Sequence, residues 1–428
     1  MHTHIRIAIL LDWNIPSLPI ICQRVRESKT IGKNSIFVMQ EKNDNCSNHS
    51  WRAIIAATAT IGAVGVALGL GTQLISILMA ARGFSSSIIG YSGTVGGIAT
   101  IIASVFTAPI AKKMGVARSI LVMMIIGCSS FLGFYYFESI WVWFVLRFTL
   151  HFAMTIMFIL SEFWVNSSAP EQKRGMILAI YAITLGIGFT LGPTLLSYVG
   201  SQGFTPFGAA CILIGMAAIP IIAAWRLSPQ FKDGDHVTFL PYIWAVPTST
   251  MAVLVYGAIQ MGALTLITPF SLTLGYSESE AANFMSMLAL GNVLLLVPIG
   301  IISDFIKDRR YPLMGCAAIG LIGTALIPWI AHIRLALICD LFILGGVSAG
   351  LYTIGLAQLG ARLKGAELAA ANSAFIFCYG IGMLVGPTTI GKVMDIYNPF
   401  GFSITMAAFF SLYIILVLCR LARTLFHS

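Results

Sequence analysis

The sequence has 428 residues, of which 58% are hydrophobic and only 10% are charged. So few charges cannot cover the surface of a water-soluble protein, and the composition excludes a soluble enzyme, a disordered chain and a nucleic-acid-binding protein. The formal net charge of +9 comes from basic residues in loops between apolar segments, so it indicates membrane topology and not a nucleic-acid partner.

Twelve apolar segments predict helices that cross a membrane. Each has about 20 residues or more, the length that spans about 30 Å of hydrocarbon, whereas a membrane barrel would need alternating strands of about ten residues. The predicted spans cover residues 53–79, 87–111, 118–137, 140–163, 176–199, 206–226, 241–268, 280–302, 311–331, 335–358, 369–393 and 399–422. The sequence therefore predicts an all-α integral membrane protein with two six-helix bundles, 53–226 and 241–428, joined by a cytoplasmic linker at 227–240.

The loops differ in positive charge between the two sides of the membrane. Loops after even-numbered spans, together with the two tails, carry 21 Lys and Arg residues, whereas loops after odd-numbered spans carry three. Because Lys and Arg accumulate in cytoplasmic loops, we expect a multi-pass protein of a bacterial inner membrane with both termini in the cytoplasm. Residues 1–52 are expected to form a cytoplasmic tail; alternatively, translation begins at Met39, which leaves the charge asymmetry in place.

One sequence pattern occurs twice, 194 residues apart. Gly186–Ser197 in the fifth span reads GIGFTLGPTLLS, Gly380–Gly391 in the eleventh reads GIGMLVGPTTIG, and six of the twelve positions match. The loops at Arg82–Gly90 and Leu274–Ala282 are related by a similar shift. A six-helix unit used twice in the same orientation predicts a pseudo-twofold axis along the membrane normal and a central cavity, as in alternating-access transporters.

The layout and loop motifs resemble the major facilitator superfamily over residues 51–425. The family motif after spans 2 and 8 is Gly-x-x-x-Asp-Arg-x-Gly-Arg-Arg. The match is partial. The second copy keeps Gly300, Asp304 and Arg309, with Arg310 just beyond, and differs at Phe305, Lys307 and Asp308; the first keeps Gly115, has Lys112 and Lys113 in place of the aspartate and the arginine, and has Arg118 just beyond. The resemblance implies that the aspartate latches the cytoplasmic side. Since Lys112 replaces it in the first copy, only Asp304 in the C-terminal half is expected to act in this way.

The fifth span resembles the Gly-x-x-x-Gly-Pro pattern of antiporters in this family. The positions are Gly188, Gly192 and Pro193, with a second copy at Gly382, Gly386 and Pro387 in the eleventh span. Glycines let helices approach closely and proline bends a helix, so we expect these residues to take part in the extracellular closure, with tight packing alone as the alternative. The fourth span partly matches another family motif at Arg147, and SEFWVN at Ser161–Asn166 resembles a bacterial branch close to drug/proton antiporters.

Ionisable residues inside spans are candidates for function, because insertion of a charge at the membrane centre costs about 2.5–3.5 kcal/mol. Arg147 lies in the fourth span, and His151 lies one turn deeper on the same helix face. Asp340 lies at the corresponding depth of the tenth span, and Glu162 near the cytoplasmic end of the fourth. The resemblance implies that spans 1, 4, 7 and 10 line the cavity. We therefore expect Arg147 and Asp340 to face each other and Asp340 to carry a proton; the alternative is that these side chains snorkel toward the nearby interface or form a static ion pair. For Glu162 the alternative is a position in the solvated last turn of its span.

Uncharged polar and aromatic residues in the spans are candidate substrate contacts. They are Gln73, Gln260, Asn292, Tyr256 and Tyr379. A lone amide in a span is more typical of a hydrogen bond to a neighbouring helix, and a lone tyrosine is more typical of interfacial anchoring or core packing. The sequence contains no Walker loop, His-Glu-x-x-His motif or Cys/His cluster, so we expect no cofactor, no metal and no catalytic residue.

These features predict a monomeric secondary transporter that moves a small solute across the lipid bilayer by rocker-switch alternating access. Proton coupling is expected, and the motifs in spans 4 and 5 favour export. Proton-coupled uptake of a metabolite is the first alternative. A receptor or sensor that keeps the fold without transport is the second, although the short linker and short C-terminal tail argue against a regulatory domain.

Overall fold

A computed structural model describes residues 33–170, 173–229, 240–306, 308–363 and 365–426; for 33–50, 174–175, 360, 362, 365–366, 368–370 and 423–426 it describes the backbone alone. Over these ranges the regular structure is entirely helical. Twelve helices are long and apolar enough to cross a membrane. The predicted all-α membrane fold is therefore confirmed.

The helices follow the predicted order with fourteen separate elements. They are α1 (Lys33–Ala81), α2 (Ser86–Met114), α3 (Val116–Tyr136), α4 (Ile140–Ser168), α5 (Arg174–Val199), α6 (Thr205–Ala224), α7 (Leu240–Ala245), α8 (Pro247–Thr273), α9 (Glu278–Leu294), α10 (Leu296–Asp304), α11 (Arg310–Ile330), α12 (Arg334–Arg362), α13 (Gly365–Ile396) and α14 (Gly401–Phe426). Residues 1–32 of the expected tail and 230–239 of the expected linker lie outside the described residues, and the start at Met39 stays a prediction.

Two of the predicted spans are interrupted near prolines. The seventh was expected to begin at 241, but α7 ends at Ala245 and the long helix begins at Pro247, which occupies the first turn, where a missing amide hydrogen costs nothing. The eighth consists of α9 and α10. Pro298 has no amide hydrogen to donate to the Leu294 carbonyl, and the helix is interrupted at Leu295.

The internal repeat is reproduced in the contact between the first and fifth spans of each half. A Cβ added to Gly188 in α5 would lie 2.7 Å from the carbonyl oxygen of Gly62 in α1. A Cβ added to Gly382 in α13 would lie closer than 3 Å to the carbonyl oxygen of Leu254 in α8, which is 192 residues beyond Gly62. The first and fifth spans of each half therefore meet backbone to backbone, and the glycines make that approach possible.

Loops alternate between two faces of the helical assembly. We call the face with the loops after α1, α3, α5, α8, α11 and α13 the odd-loop face, and the opposite one the even-loop face. Ser85 caps α2 at the odd-loop face, and Ser277, 192 residues later, caps α9 in a capping box with Glu280. Below, the N-terminal half means α1 to α6 and the C-terminal half means α8 to α14.

Candidate functional site

The two halves are joined at the odd-loop face by a first seam between α2 and α13. The Asp395 carboxylate accepts hydrogen bonds from the backbone N–H groups of Ser86 (2.9 Å) and Ser87 (3.0 Å) at the start of α2. About two turns further along α2, the Thr94 hydroxyl donates to the Leu384 carbonyl oxygen at 3.0 Å. A carboxylate at a helix N-terminus satisfies amides that have no partner within the helix. The seam is therefore a polar, specific contact.

A second seam joins α5 to α9 at the same face. The hydroxyl groups of Thr194 and Ser286 are 2.9 Å apart, and the Ser201 hydroxyl donates to the Glu278 carboxylate. Between the two seams, the Gln73 side-chain amide of α1 donates to the Leu264 carbonyl oxygen of α8 at 3.3 Å. Gln73, expected to contact substrate, thus ties the halves together in this conformation.

The faces that form the seams become exposed toward the even-loop face. Helical periodicity of 3.6 residues per turn continues the seam of α2 to Val105, that of α5 to Ile183 and that of α13 to Ile376. These three side chains are 68%, 46% and 51% exposed, respectively. The halves are therefore closed against each other at the odd-loop face and parted at the even-loop face.

Aromatic and amide side chains of the C-terminal half meet where the closed part ends. The rings of Tyr256, Tyr352 and Tyr379 have centroids 5.4 to 6.3 Å apart. The Tyr379 hydroxyl donates to Gln260 Oε1 at 2.7 Å, and the Asn292 amide donates to the Tyr256 hydroxyl at 3.4 Å. We call these five residues the tyrosine cluster.

The tyrosine cluster borders the opening between the halves. Tyr379 precedes Gly380, and a Cβ on Gly380 would lie 2.9 Å from the Ile101 side chain of α2, in the last part of the α2/α13 seam. Four residues of the tyrosine cluster, all but Tyr256, are partly accessible. The structure thus brings together four of the five predicted contacts. Tyr352 was missed, although a tyrosine in the tenth span, which was expected to line the cavity, was a signal for it.

Glu162 of α4 is an exposed acidic side chain of the N-terminal half. It lies within range of a charge interaction with the hydroxyl groups of Tyr352 in the other half and of Tyr181 in its own. Tyr181 in turn shares a hydrogen bond of 2.9 Å with the Ser161 hydroxyl. Glu162 is therefore an acidic side chain near polar aromatic groups of both halves.

Arg147 and His151 lie deeper, in the closed part of the N-terminal half. Both are buried, and Arg147 is 0% exposed. His151 Nδ1 is 3.2 Å from the Arg147 carbonyl oxygen, and its ring packs on α2, where a Cβ on Gly96 would lie 2.9 Å from Nε2. Within the described part of the chain, the guanidinium nitrogens of Arg147 have no hydrogen-bond partner.

The expected pairing of Arg147 with Asp340 is wrong in this structure. Asp340 Oδ2 has no partner among the described residues, and Asp340 Oδ1 lies against α11, 2.6 Å from the position of a Cβ on Gly323. Asp340 therefore faces a neighbouring helix of its own half. Equal depth in two spans fixed the level of the two residues but not the direction of their side chains.

The loop motif at the even-loop face is assembled in different ways in the two halves. In the second copy, Arg309 Nη2 lies 2.9 Å from Asp304 Oδ1, and the side chain of Asp304 is 71% exposed. In the first copy, Gly115 has φ of 83° between α2 and α3, and the guanidinium of Arg118 lies 5.5 Å from the ring centre of Trp225. Asp304 thus pairs within its own loop. The remaining motif positions lie in the flanking helices: Lys112 and Lys113 in the last turn of α2, Gly300 in α10 and Arg310 at the start of α11.

The two Gly-Pro motifs occupy different contacts. Pro193 of α5 packs inside the N-terminal half, where its Cδ would lie 3.1 Å from a Cβ on Gly69. Pro387 of α13 lies in the α2/α13 seam, with its carbonyl closer than 3 Å to the position of a Cβ on Gly90. The glycines of both motifs, Gly188, Gly192, Gly382 and Gly386, serve contacts within each half, and a role in closure stays a prediction.

Comparison with known proteins places these features in a family. A family model described as Major Facilitator Superfamily matches residues 53–387 and 248–426. The chain is 26% identical over 346 residues to the uncharacterized MFS-type transporter YfkF of Bacillus subtilis (strain 168), an alignment that covers 78% of this chain and 86% of YfkF. It is 22% identical over 365 residues to the uncharacterized MFS-type transporter YcaD of Escherichia coli O45:K1, with 84% and 93% covered.

Solved structures share the fold at low sequence identity. The nucleoside transporter NupG superposes with a TM-score of 0.68 at 15% identity, covering 88% of this chain and 98% of NupG. A bacterial homolog of the human lysosomal transporter Spinster, in an inward-facing and unoccupied conformation, superposes with a TM-score of 0.67 at 12% identity, covering 86% and 95%. At these identities the likeness concerns the fold.

Proposed function

The chain belongs to the major facilitator superfamily, and we propose that it exports a small solute by rocker-switch alternating access coupled to protons. It is a transporter and not an enzyme, and it is a multi-pass protein of the inner membrane. The even-loop face is proposed to be cytoplasmic, since it carries most of the Lys and Arg residues, and the transporting unit is proposed to be a single chain.

One observation carries this proposal: the halves are hydrogen-bonded at one face and parted at the other. Asp395 and Thr94 hold the α2/α13 seam closed, while Val105 and Ile376, on the same helices, are exposed. Two pseudo-equivalent bundles around an opening that reaches one face correspond to one state of an alternating-access cycle. The opposite state requires these seams to separate and the even-loop ends to close.

Glu162 replaces Asp340 as the proposed proton carrier. A carboxylate in a membrane span is costly and is typical of proton relays. Glu162 is exposed and its charge interacts with Tyr352 of the other half, whereas Asp340 lies against Gly323 of α11 in its own half. Protonation would neutralise Glu162, so that its side chain carries no charge when its surroundings change from open to closed.

Flux measurements on reconstituted protein test the proposal. A thermal-shift screen of metabolites and drugs selects a solute, and a pH-sensitive dye inside proteoliposomes then reports proton movement when the solute is added. We expect Glu162→Gln to abolish proton-driven flux and to retain solute exchange at equal pH, and Asp340→Asn to retain both. Unchanged proton-driven flux in Glu162→Gln would remove this residue from the mechanism, and no flux of any selected solute would overturn transport.

A further inference from the structure

Arg147 is a buried charge without a counter-ion in this conformation. Its side chain is 0% exposed, and Nε, Nη1 and Nη2 all lack a hydrogen-bond partner among the described residues. Arginine stays charged in proteins, and a buried charge is expensive unless it is paired and hydrogen-bonded. Five donor hydrogens in a rigid fork therefore face a region in which the described chain supplies no acceptor.

Two further buried polar atoms, both against α2, also lack partners among the described residues. They are His151 Nε2, one turn along α4, and Thr265 Oγ1, on α8 of the other half. A Cβ on Gly96 would lie 2.9 Å from His151 Nε2, and a Cβ on Gly93, one turn earlier in α2, would lie 2.6 Å from Thr265 Oγ1.

The register of two helices places Arg147 at the same depth as this stretch of α2. Helices α2 and α4 both start at the odd-loop face, so they run in the same direction. Arg147 precedes His151 by one turn, as Gly93 precedes Gly96. Because one turn of helix rises about 5.4 Å, Arg147 is level with Gly93, the residue that Thr265 touches. Buried polar atoms of both halves that lack partners among the described residues thus lie at one depth, and His151 and Thr265 lie against one stretch of α2.

We propose that Arg147, His151 and Thr265 form a subsite for a small anionic group, a carboxylate or a comparable oxyanion. A guanidinium binds such a group through two parallel hydrogen bonds, and the Thr265 hydroxyl adds a donor from the C-terminal half. The ligand would bridge the two halves. The inference that this group belongs to the transported solute rests on the proposed function, whereas the subsite itself does not.

The hydrogen bond of His151 to the Arg147 carbonyl implies that one proton is bound together with the acid group. The Arg147 carbonyl oxygen only accepts, so the His151 Nδ1 that lies 3.2 Å from it must carry a hydrogen. In the neutral ring Nε2 is then an acceptor and suits the O–H of a protonated acid; in the imidazolium it donates to an anion. In either form one proton accompanies one acid group, which fits a proton-coupled carrier.

Anion binding to the purified full-length protein tests the subsite without any flux measurement. The melting temperature is followed in a buffer whose only anion is a bulky sulfonate, while chloride, phosphate, acetate or benzoate is added at constant ionic strength. We expect a saturable rise for the wild type, because a ligand that binds the folded state alone raises its stability. Arg147→Gln is expected to lose the rise, and Arg82→Gln, an arginine outside the spans, to keep it.

A second variant keeps the test decisive if Arg147→Gln is not obtained as folded protein. Thr265→Val retains Arg147 and removes one hydrogen bond of about 1 kcal/mol, so we expect the half-saturating concentration to rise about fivefold. An equal rise in melting temperature for Arg147→Gln and Arg82→Gln overturns the proposal, as does a wild type that responds to none of the four anions.

The anions tested also separate the two sources of the group. Equal half-saturation for chloride, phosphate and benzoate identifies an inorganic anion as the ligand, whereas benzoate binding at least tenfold more tightly than chloride assigns the group to an organic solute. Failure of the proposed function gives a different result: saturable, Arg147-dependent binding with no transport in vesicles would keep the subsite and overturn transport.

Discussion

Removing the Asp395 side chain tests how the odd-loop face is kept closed. This carboxylate accepts two hydrogen bonds from the backbone N–H groups of Ser86 and Ser87, which belong to the other half of the chain. Both amides lie in the first turn of α2 and have no acceptor within that helix. Asp395→Ala leaves them to water, so the closed state loses stability while a state with separated seams loses none.

The magnitude follows from the type of contact and its exposure. Replacing a residue that caps a helix N-terminus by alanine costs about 0.5–2 kcal/mol, and hydrogen bonds to charged groups lie in the upper part of the usual range. Asp395 is exposed, and solvent therefore weakens its interaction. A loss of about 1–2 kcal/mol changes the ratio of open to closed odd-loop faces by a factor of about 5–30.

Spin labels at Phe137 and Ile333, exposed positions at the odd-loop face of the two halves, report this ratio as a distance distribution. We expect the longer-distance population to grow relative to the shorter one in Asp395→Ala, and to a smaller degree in Asp395→Asn, which keeps one acceptor oxygen. Glu138→Ala removes an equal charge from the same face without touching the seam and serves as the control. An Asp395→Ala distribution identical to that of Glu138→Ala would refute the reasoning.

Three further variants probe packing, the tyrosine cluster and the even-loop face. Gly386→Ala should lower the melting temperature clearly, since its Cβ would come closer than 3 Å to backbone atoms of α8 and overpacking costs about 1–3 kcal/mol; Gly300→Ala, with no atom within 4 Å, should not lower it. Tyr379→Phe removes the hydrogen bond to Gln260 and should lower the melting temperature modestly, for a loss of about 1 kcal/mol of stability. Asp304→Asn should change the melting temperature little, because exposed ion pairs contribute less than about 1 kcal/mol, and a drop comparable to that of Gly386→Ala would contradict this.

The sequence predicted the architecture well because the signals for it are local. Each span is a stretch of apolar residues, and the glycines of the duplicated segment make equivalent contacts in both halves, at Gly188 and at Gly382. Hydropathy failed near Pro247 and Pro298, where the chain remains apolar but an amide hydrogen is missing. Mean hydropathy is an average over side chains, so it contains no information about which backbone hydrogen bonds can form.

The candidate site was predicted in part, for a geometric reason. Polar residues in apolar spans are easy to find, so Gln260 and Asn292 were identified. The pairing of Arg147 with Asp340 failed because matching depth does not fix rotation about the helix axis. Asp340 and Tyr352 are twelve residues apart on α12, which is about 120° of rotation at 3.6 residues per turn, so the two cannot both point toward the opening.

The close contact of α5 with α1, and of α13 with α8, determines which interfaces can separate during the transport cycle. Backbone atoms that touch at glycines, as at Gly188 and Gly62, leave no gap for a solvent molecule, and sliding there would open a void. The hydrogen bonds at Asp395 and Thr94 can instead be exchanged for water one at a time. Each bundle should therefore travel as a block, and substitutions that alter turnover without harming folding should concentrate along the two hydrated edges.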